Sequence, residues 1–144
     1  MATLIAELAE YEQLGHEAKA TPADLLRDLF GPNPRVFAEI GEWEGQPVGF
    51  SLWFYTYSTF QGRHGLWLED LFVRQHARGR GIGRALLNRL ARRCVAENLG
   101  RLEWWVLGWN KGSIDFYRAQ GAVLQDQWTK CRLDGEALQA LALE

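Results

Sequence analysis

A glycine-rich turn between an apolar segment and a helical segment constrains the fold of this chain more than any other feature. The turn reads Arg-Gly-Arg-Gly-Ile-Gly over residues 78–83 and follows the apolar residues 66–73. Glycine lets the backbone turn sharply, and the first turn of a helix has unpaired N–H groups and a positive dipole end. Such a turn binds phosphate, and the arginines add charged donors. The sequence therefore predicts a strand, a phosphate-binding turn and a helix in succession.

Hydrophobic periodicity predicts further helices and strands on both sides of this turn. We expect helices over residues 2–14, 22–30, 82–98, 112–120 and 135–143, strands over residues 36–43, 48–57, 66–73 and 101–107, and one or two final strands over residues 122–133. The strand–helix–strand order of residues 66–107 predicts a parallel pair with a right-handed crossover. Hairpin spacing before it predicts antiparallel neighbours. The predicted class is α/β (α+β), with a mixed, mostly antiparallel sheet and helices on both faces.

The composition fits a single globular domain over residues 1–144. A net charge of −2 argues against binding to nucleic acid, because such proteins usually carry a strong basic excess. The sequence shows neither a signal peptide nor an apolar run long enough to span a membrane. Cys94, in a predicted helix, and Cys131, in a predicted strand, lack metal-ligand spacing and are expected to be buried thiols of a cytoplasmic protein. His16, His64 and His76 are expected on the surface.

The spacing of the glycines discriminates between kinds of phosphate site. A P-loop needs a lysine followed by serine or threonine after the last glycine, and neither follows Gly83. A Rossmann fingerprint places its third glycine one residue later, and the candidate ribose-binding Glu103 lies near the start of a strand rather than its end. From Arg78 the pattern reads R-x-x-G-x-G. It resembles the pyrophosphate loop of the GCN5-related N-acetyltransferases, the GNAT family.

Three further segments support this resemblance. Residues 110–122 resemble the family's N-x-x-[AS]-x-x-[FL]-Y-x-x-x-G-[FA] segment, and residues 7–12 and 68–73 resemble one branch, the diamine (spermidine/spermine) and thialysine acetyltransferases. The resemblance covers residues 5–142. It implies the GNAT fold, with a splayed parallel strand pair, and transfer of an acetyl group from acetyl-CoA to a primary amine of a small molecule. A diamine, a polyamine or a thialysine-like amino acid is the implied substrate.

The resemblance carries cofactor roles onto particular residues and implies no metal. The pyrophosphate of acetyl-CoA would be bound by Arg78, Gly79, Arg80, Gly81, Ile82, Gly83 and Arg84, and the pantetheine arm by Leu71, Phe72, Val73, Asn110 and Ser113. A strand bulge at residues 71–73 would free an N–H for the thioester carbonyl. Asn110 and Ser113 are also interpreted as a helix cap, and the two interpretations are compatible.

Tyr117 matches the tyrosine that reaches the coenzyme sulfur and acts as general acid, so the resemblance implies a catalytic and cofactor-binding role for it. The alternative is that Phe116 and Tyr117 form an aromatic pair that packs a helix onto the sheet.

Glu69 interrupts an apolar strand, where a carboxylate needs a reason to be buried. Strict alternation puts Glu69 on one face with Trp67, and Asp70 on the other with Phe72. The resemblance favours Glu69 as the amine-binding carboxylate and as a base acting through water. The alternative is that backbone or arginine groups satisfy both carboxylates.

A cationic chain substrate suits spaced carboxylates and aromatic faces. The resemblance gives substrate contacts to Tyr11, Glu12, Glu69 and Asp126, where Asp126 is the one acid left of an acidic stretch in the diamine branch. An ordinary helix surface is an equal interpretation of Tyr11 and Glu12.

Several functions remain open at this point. A GNAT enzyme could instead acetylate a protein N-terminus, a lysine or an antibiotic amine, and a non-catalytic acyl-CoA-binding module would need only the glycine turn. Family members usually open with a strand, whereas this chain opens with a helix. Either the native start lies upstream, or the sheet edge is bare or is covered by another element. An unpaired edge would favour association, and we expect a homodimer.

Overall fold

The computed structural model of the chain describes residues 1–143. Its helices are α1 (Ala2–Tyr11), α2 (Pro22–Phe30), α3 (Ile82–Ala96), α4 (Lys111–Ala119) and α5 (Gly135–Leu141), and its strands are β1 (Phe37–Trp43), β2 (Gln46–Ser58), β3 (Arg63–Val73) and β4 (Leu102–Trp104). Short 3-10 turns cover Gly15–Glu17 and Gln75–Ala77. Each predicted helix is present, and its ends lie within three residues of the prediction.

The chain divides into two compact units, Met1–Trp105 and Val106–Glu144. The first contains the sheet with α1, α2 and α3, and the second contains α4 and α5. The assignment of residues 1–144 to one domain stays a prediction.

The sheet of the first unit has the strand order β1-β2-β3-β4. The β1–β2 and β2–β3 pairs are antiparallel, and the β3–β4 pair is parallel. Because α3 connects β3 to β4, the predicted strand–helix–strand crossover is present. The mixed, mostly antiparallel sheet is confirmed.

Helix α1 covers one face of this sheet. Its buried residues Leu4 and Leu8 pack with Phe50 and Leu52 of β2 and with Phe72 of β3. Burial of a side chain of this size stabilises a fold by about 1.5–3 kcal/mol. This apolar cluster fixes the end of β3 under α1.

Helix α3 lies on the opposite face. The Arg93 guanidinium lies 4.9 Å from the ring centre of Trp53, and Trp53 and Leu52 point to opposite faces because side chains alternate along a strand. At the start of α3, a Cβ on Gly41 would lie 2.8 Å from Cγ2 of Ile82. Glycine at this position therefore lets the first turn of α3 approach β1 closely. Helices on both faces are confirmed.

Helix α2 begins as its sequence predicts. The Thr21 hydroxyl accepts from the Asp24 N–H at 3.2 Å, and the Asp24 carboxylate accepts from the Thr21 N–H at 3.0 Å. This reciprocal capping box, with Pro22 in the first turn, fixes the start of the helix.

Residues 122–133 correct the prediction of one or two final strands. None of these residues lies in a strand, and Asp126 lies in a turn. The segment contains local turns, as where the Trp128 N–H donates to the Gln125 carbonyl at 3.2 Å. A strand needs a partner, so β-forming residues alone do not make one. Cys131 is accordingly exposed rather than buried in a strand, whereas Cys94 is buried in α3 as predicted.

Candidate active site

The glycine turn has the backbone geometry that a phosphate site needs. Gly79 and Gly81 have φ angles of +75° and +80°, in the left-handed region that favours glycine. A Cβ on either residue would have no heavy atom within 4 Å, so the space beside the turn is open. Helix α3 begins at Ile82, and no side chain caps it. Its first N–H groups and its positive dipole end therefore suit a pyrophosphate.

Two arginines of the turn are held by aromatic rings. The Arg78 guanidinium lies 4.7 Å from the ring centre of Tyr11, and the Arg80 guanidinium lies 4.9 Å from that of Trp43. The Arg78 Nε also donates to the carbonyl oxygen of Val73 at 2.8 Å. Arg84, in the first turn of α3, is exposed. The predicted pyrophosphate-binding residues thus form one continuous segment at the end of β3.

A bulge in β3 changes the orientation of the two candidate carboxylates. Asp70 lies opposite Leu52, and Leu68 lies opposite Trp53, so Glu69 has no partner residue in β2. The bulge therefore falls at Glu69, before the predicted segment 71–73. Strict alternation across residues 67–72, which would separate Trp67 and Asp70, is wrong for this reason.

The face of β3 that carries Asp70 is the face that α1 covers. Asp70 pairs with Leu52, which packs against α1. Trp67 pairs with Phe54, two residues along β2, so it lies on the same face. The Trp67 indole N–H donates to the Glu69 carboxylate at 2.8 Å, which keeps Glu69 beside these residues.

Three carboxylates interact electrostatically at this place. Burial, with smaller contributions from the negative charges of Glu69 and Glu12, raises the pKa of the Asp70 carboxyl to about 7. Burial also raises the pKa of Glu12, the residue at the C-terminal end of α1. The structure thus brings the predicted substrate residues Glu12 and Glu69 together and adds Asp70, a carboxyl that exchanges its proton near neutral pH.

A charged contact that the sequence did not reveal holds α1 on the sheet. Arg74, directly after β3, donates from Nε and Nη2 to the two carboxylate oxygens of Glu7 at 2.8 and 2.7 Å. Its Nη1 donates to the Pro47 carbonyl at 3.1 Å. The Arg74 guanidinium lowers the pKa of the Glu7 carboxyl. Bidentate pairs of this kind are geometrically specific, so this pair fixes α1 relative to the end of β3.

The parallel pairing between β3 and β4 is short. It joins residues 66–68 of β3 to residues 102–104 of β4, and β3 then continues to Val73. Strand β4 is accordingly shorter than the predicted strand of residues 101–107. The backbone of Leu71, Phe72 and Val73 extends past the ladder with β4.

The second unit contains the other predicted site residues. The Asn110 side chain accepts from the Ser113 N–H at 3.2 Å, so the predicted helix cap of α4 is confirmed. Tyr117 is buried on α4, and its ring centre lies 5.2 Å from that of Phe116. Asp126 is exposed in a turn. The cofactor and substrate roles of these residues stay predictions.

Residues 1–143 contain neither a metal-ligand cluster nor a membrane-spanning helix. No group of three or more histidine, cysteine, aspartate or glutamate residues there could hold a metal ion. No helix of this part of the chain has the length and apolar character needed to cross a membrane. His16, His64 and His76 are exposed, as predicted.

Comparison with known proteins decides the family. Residues 2–122, which include both the glycine turn and α4, match the acetyltransferase (GNAT) family. The chain belongs to this family. The predicted GNAT fold and acyltransferase class are confirmed, and the Rossmann alternative is excluded.

Individual relatives of this GNAT protein agree with the predicted branch. It is 37% identical over 150 residues to a thialysine N-epsilon-acetyltransferase of Bos taurus, covering 96% of this chain and 88% of the relative. It is 35% identical over 151 residues to spermidine/spermine N(1)-acetyltransferase-like protein 1 of Homo sapiens, covering 98% of this chain and 22% of that protein. An integron cassette protein from V. cholerae has a similar structure, with a TM-score of 0.82, 27% identity and coverage of 99% and 90% of the two chains.

Proposed function

We propose that this GNAT protein is an N-acetyltransferase that uses acetyl-CoA and acetylates a primary amine of a small molecule. The amine is a diamine, a polyamine or a thialysine-like amino acid. The observation that carries the proposal is the group formed by Glu12, Glu69 and Asp70, close to the strand end that leads into the glycine turn. Negative charge attracts a cationic amine, and the relatives named for thialysine and for spermidine/spermine support this substrate class.

Acetyl-CoA fits the residues at the end of β3. We assign its pyrophosphate to residues 78–84, where the open glycines and the start of α3 offer N–H donors. We assign its pantetheine arm to the backbone of residues 71–73, which extends past the ladder with β4. When bound, acetyl-CoA supplies an activated acetyl group. No metal is needed in this scheme.

Glu69 holds the amine and helps to remove its proton. An amine attacks only when it is neutral, so its proton must pass to a base. We assign this step to Glu69 acting through water, and Glu12 and Tyr11 contact the rest of the substrate. Asp70, next to Glu69 and with a pKa of about 7, is well matched to accept a proton near neutral pH.

The segment of residues 110–121 supplies the remaining roles. We propose that Asn110 and Ser113 contact the pantetheine arm, that Tyr117 protonates the departing thiolate, and that Asp126 contacts the amine. The match of this segment to the family motif supports the roles of Asn110, Ser113 and Tyr117. Tyr117 is buried as a residue, and a general acid works best where bulk water is limited.

We further propose that the protein is a cytoplasmic homodimer. Strand β1 is one of the two outer strands of the described sheet, and a sheet edge favours association with a second copy. Both cysteines are free, which fits a reducing compartment. Light scattering coupled to size-exclusion chromatography would measure the oligomeric state.

A panel of amines tests the proposed function. The purified protein is incubated with acetyl-CoA and 1,3-diaminopropane, spermidine, thialysine, an N-terminal peptide or an aminoglycoside, and free thiol release is followed. Binding of acetyl-CoA is measured separately from its effect on the melting temperature. We expect thiol release with the diamine, the polyamine or thialysine. Release with the peptide or the aminoglycoside alone would contradict the substrate class, and binding without any release would favour the non-catalytic module.

A further inference from the structure

Arg78 joins two elements that carry the proposed amine site. Its Nε donates to the carbonyl oxygen of Val73, the last residue of β3, at 2.8 Å. Its guanidinium lies 4.7 Å from the ring centre of Tyr11, the last residue of α1. The side chain therefore connects the strand that carries Glu69 to the helix that leads to Glu12.

The guanidinium of Arg78 still has donors for a phosphate. Arginine has five N–H donors, and of those of Arg78 only the Nε–H has an acceptor among residues 1–143. The side chain is exposed, and the open glycine positions Gly79 and Gly81 follow it directly. Arginine can bind a phosphate with its edge while it stacks on an aromatic ring with its face. One guanidinium can therefore contact the cofactor phosphate and Tyr11 together.

Tyr11 is also linked to the carboxylates. Glu12 follows it in the chain, and the charge of Glu12 contributes to the raised pKa of Asp70, so the two groups interact. A displacement of the end of α1, which carries both the Tyr11 ring and Glu12, would therefore move Glu12 with respect to Asp70. The end of α1 is the element through which the glycine turn and the carboxylates influence each other.

We propose that Arg78 is a positioning residue that couples binding of the cofactor phosphate to binding of the amine through the ring of Tyr11. The inference rests on the proposed function and goes beyond the phosphate contact that the sequence assigns to Arg78. A phosphate on the edge of the guanidinium holds its face on Tyr11, and Tyr11 then holds Glu12 in place for the amine. Coupling of this kind is reciprocal, so the amine strengthens cofactor binding by the same factor. An exposed cation–π contact limits the factor to about two- to fivefold.

Isothermal titration calorimetry measures this factor directly. The Kd of CoA is determined with and without saturating 1,3-diaminopropane, because CoA without its acetyl group cannot react. Diamine should lower the wild-type Kd about two- to fivefold. Tyr11→Phe keeps the aromatic face and should keep the coupling. Tyr11→Leu removes the ring and should give the same Kd with and without diamine.

Trp43→Leu is the matched control. Trp43 is 38% exposed and Tyr11 is 39% exposed, and each ring lies against an arginine of the turn. Trp43 lies on β1 rather than on α1, so its loss should leave the coupling factor unchanged whatever it does to CoA affinity. Circular dichroism checks that each variant is folded.

The outcomes separate this inference from the proposed function. A wild-type coupling factor of one, coupling that survives in Tyr11→Leu, or equal loss of coupling in Trp43→Leu would overturn the role of Arg78 and leave the acetyltransferase intact. Failure of the wild type to bind either CoA or the diamine would instead refute the proposed function, and this inference with it.

Discussion

Replacing Asp70 with asparagine should change how the stability of the protein depends on pH. Burial raises the pKa of the Asp70 carboxyl from 3.8 to about 7 in the folded protein, with smaller contributions from Glu69 and Glu12. A carboxyl that binds its proton more tightly in the folded state stabilises that state while it is protonated. This contribution is fully present below pH 3.8 and is lost as the pH rises through about 7. Asparagine has no such proton to lose.

The size of the effect follows from the pKa difference. A rise from 3.8 to about 7 corresponds to roughly 4 kcal/mol of free energy. Because Asp70 is only partly buried, solvent screening lowers the expected value to about 2 kcal/mol. The free energy of unfolding of Asp70→Asn, minus that of the wild type, should therefore rise by about 2 kcal/mol between acid and alkaline pH.

Urea unfolding followed by tryptophan fluorescence measures this difference at about pH 4 and about pH 8. Urea is preferred because, unlike guanidinium, it does not screen charges. Glu42→Gln, an exposed change on β1, controls for the loss of one negative charge. If the difference between Asp70→Asn and the wild type is the same at both pH values, the described environment of Asp70 is wrong.

Three further results are expected. Gly81→Asp puts a negative side chain where we place the pyrophosphate, so acetyl-CoA should raise the melting temperature of this variant much less than that of the wild type. The control is Gly45→Asp, at another open glycine with a φ of +73°. It introduces the same backbone strain and should keep the full shift. Tyr117→Phe should lower kcat about a hundredfold or more while the affinity for acetyl-CoA stays the same. If kcat does not change although the chemical step is rate-limiting, Tyr117 only packs α4. The kcat/KM of the wild type should rise with pH through about 7, and Asp70→Asn should lack that rise; an identical pH profile would exclude Asp70 from proton transfer.

Local sequence rules predicted the parts of the site that depend on local geometry. The glycines of the turn adopt left-handed φ angles, as a close approach to phosphate requires, and α3 starts directly after Gly81. Thr21 caps α2 and Asn110 caps α4, because a cap depends on residues within one turn. Family membership was equally accessible, since it rests on ordered motifs.

Features that depend on distant residues could not be predicted in the same way. The bulge at Glu69 arises from the pairing of β3 with β2, and no residue pattern in β3 marks it. The bulge brings Trp67, and with it Glu69, to the face of the sheet that carries Asp70, whereas strict alternation would separate them. The pair formed by Arg74 and Glu7 joins residues far apart in the chain, and the strands predicted within residues 122–133 lack the partner that a strand needs.

The substitution Glu69→Gln tests the central claim most directly, namely that a carboxylate of β3 holds a cationic amine for acetylation. Glutamine keeps the shape of the side chain and can still accept the Trp67 indole hydrogen bond, but it has no charge. A charge-assisted contact contributes about 1.5–3 kcal/mol, so kcat/KM for 1,3-diaminopropane should fall at least about tenfold, with the Kd of acetyl-CoA nearly unchanged. Glu12→Gln should cause a smaller loss, and only with longer polyamines. Unchanged kcat/KM in Glu69→Gln, or acetylation of neutral or acidic amines but of no diamine or polyamine, would contradict the account.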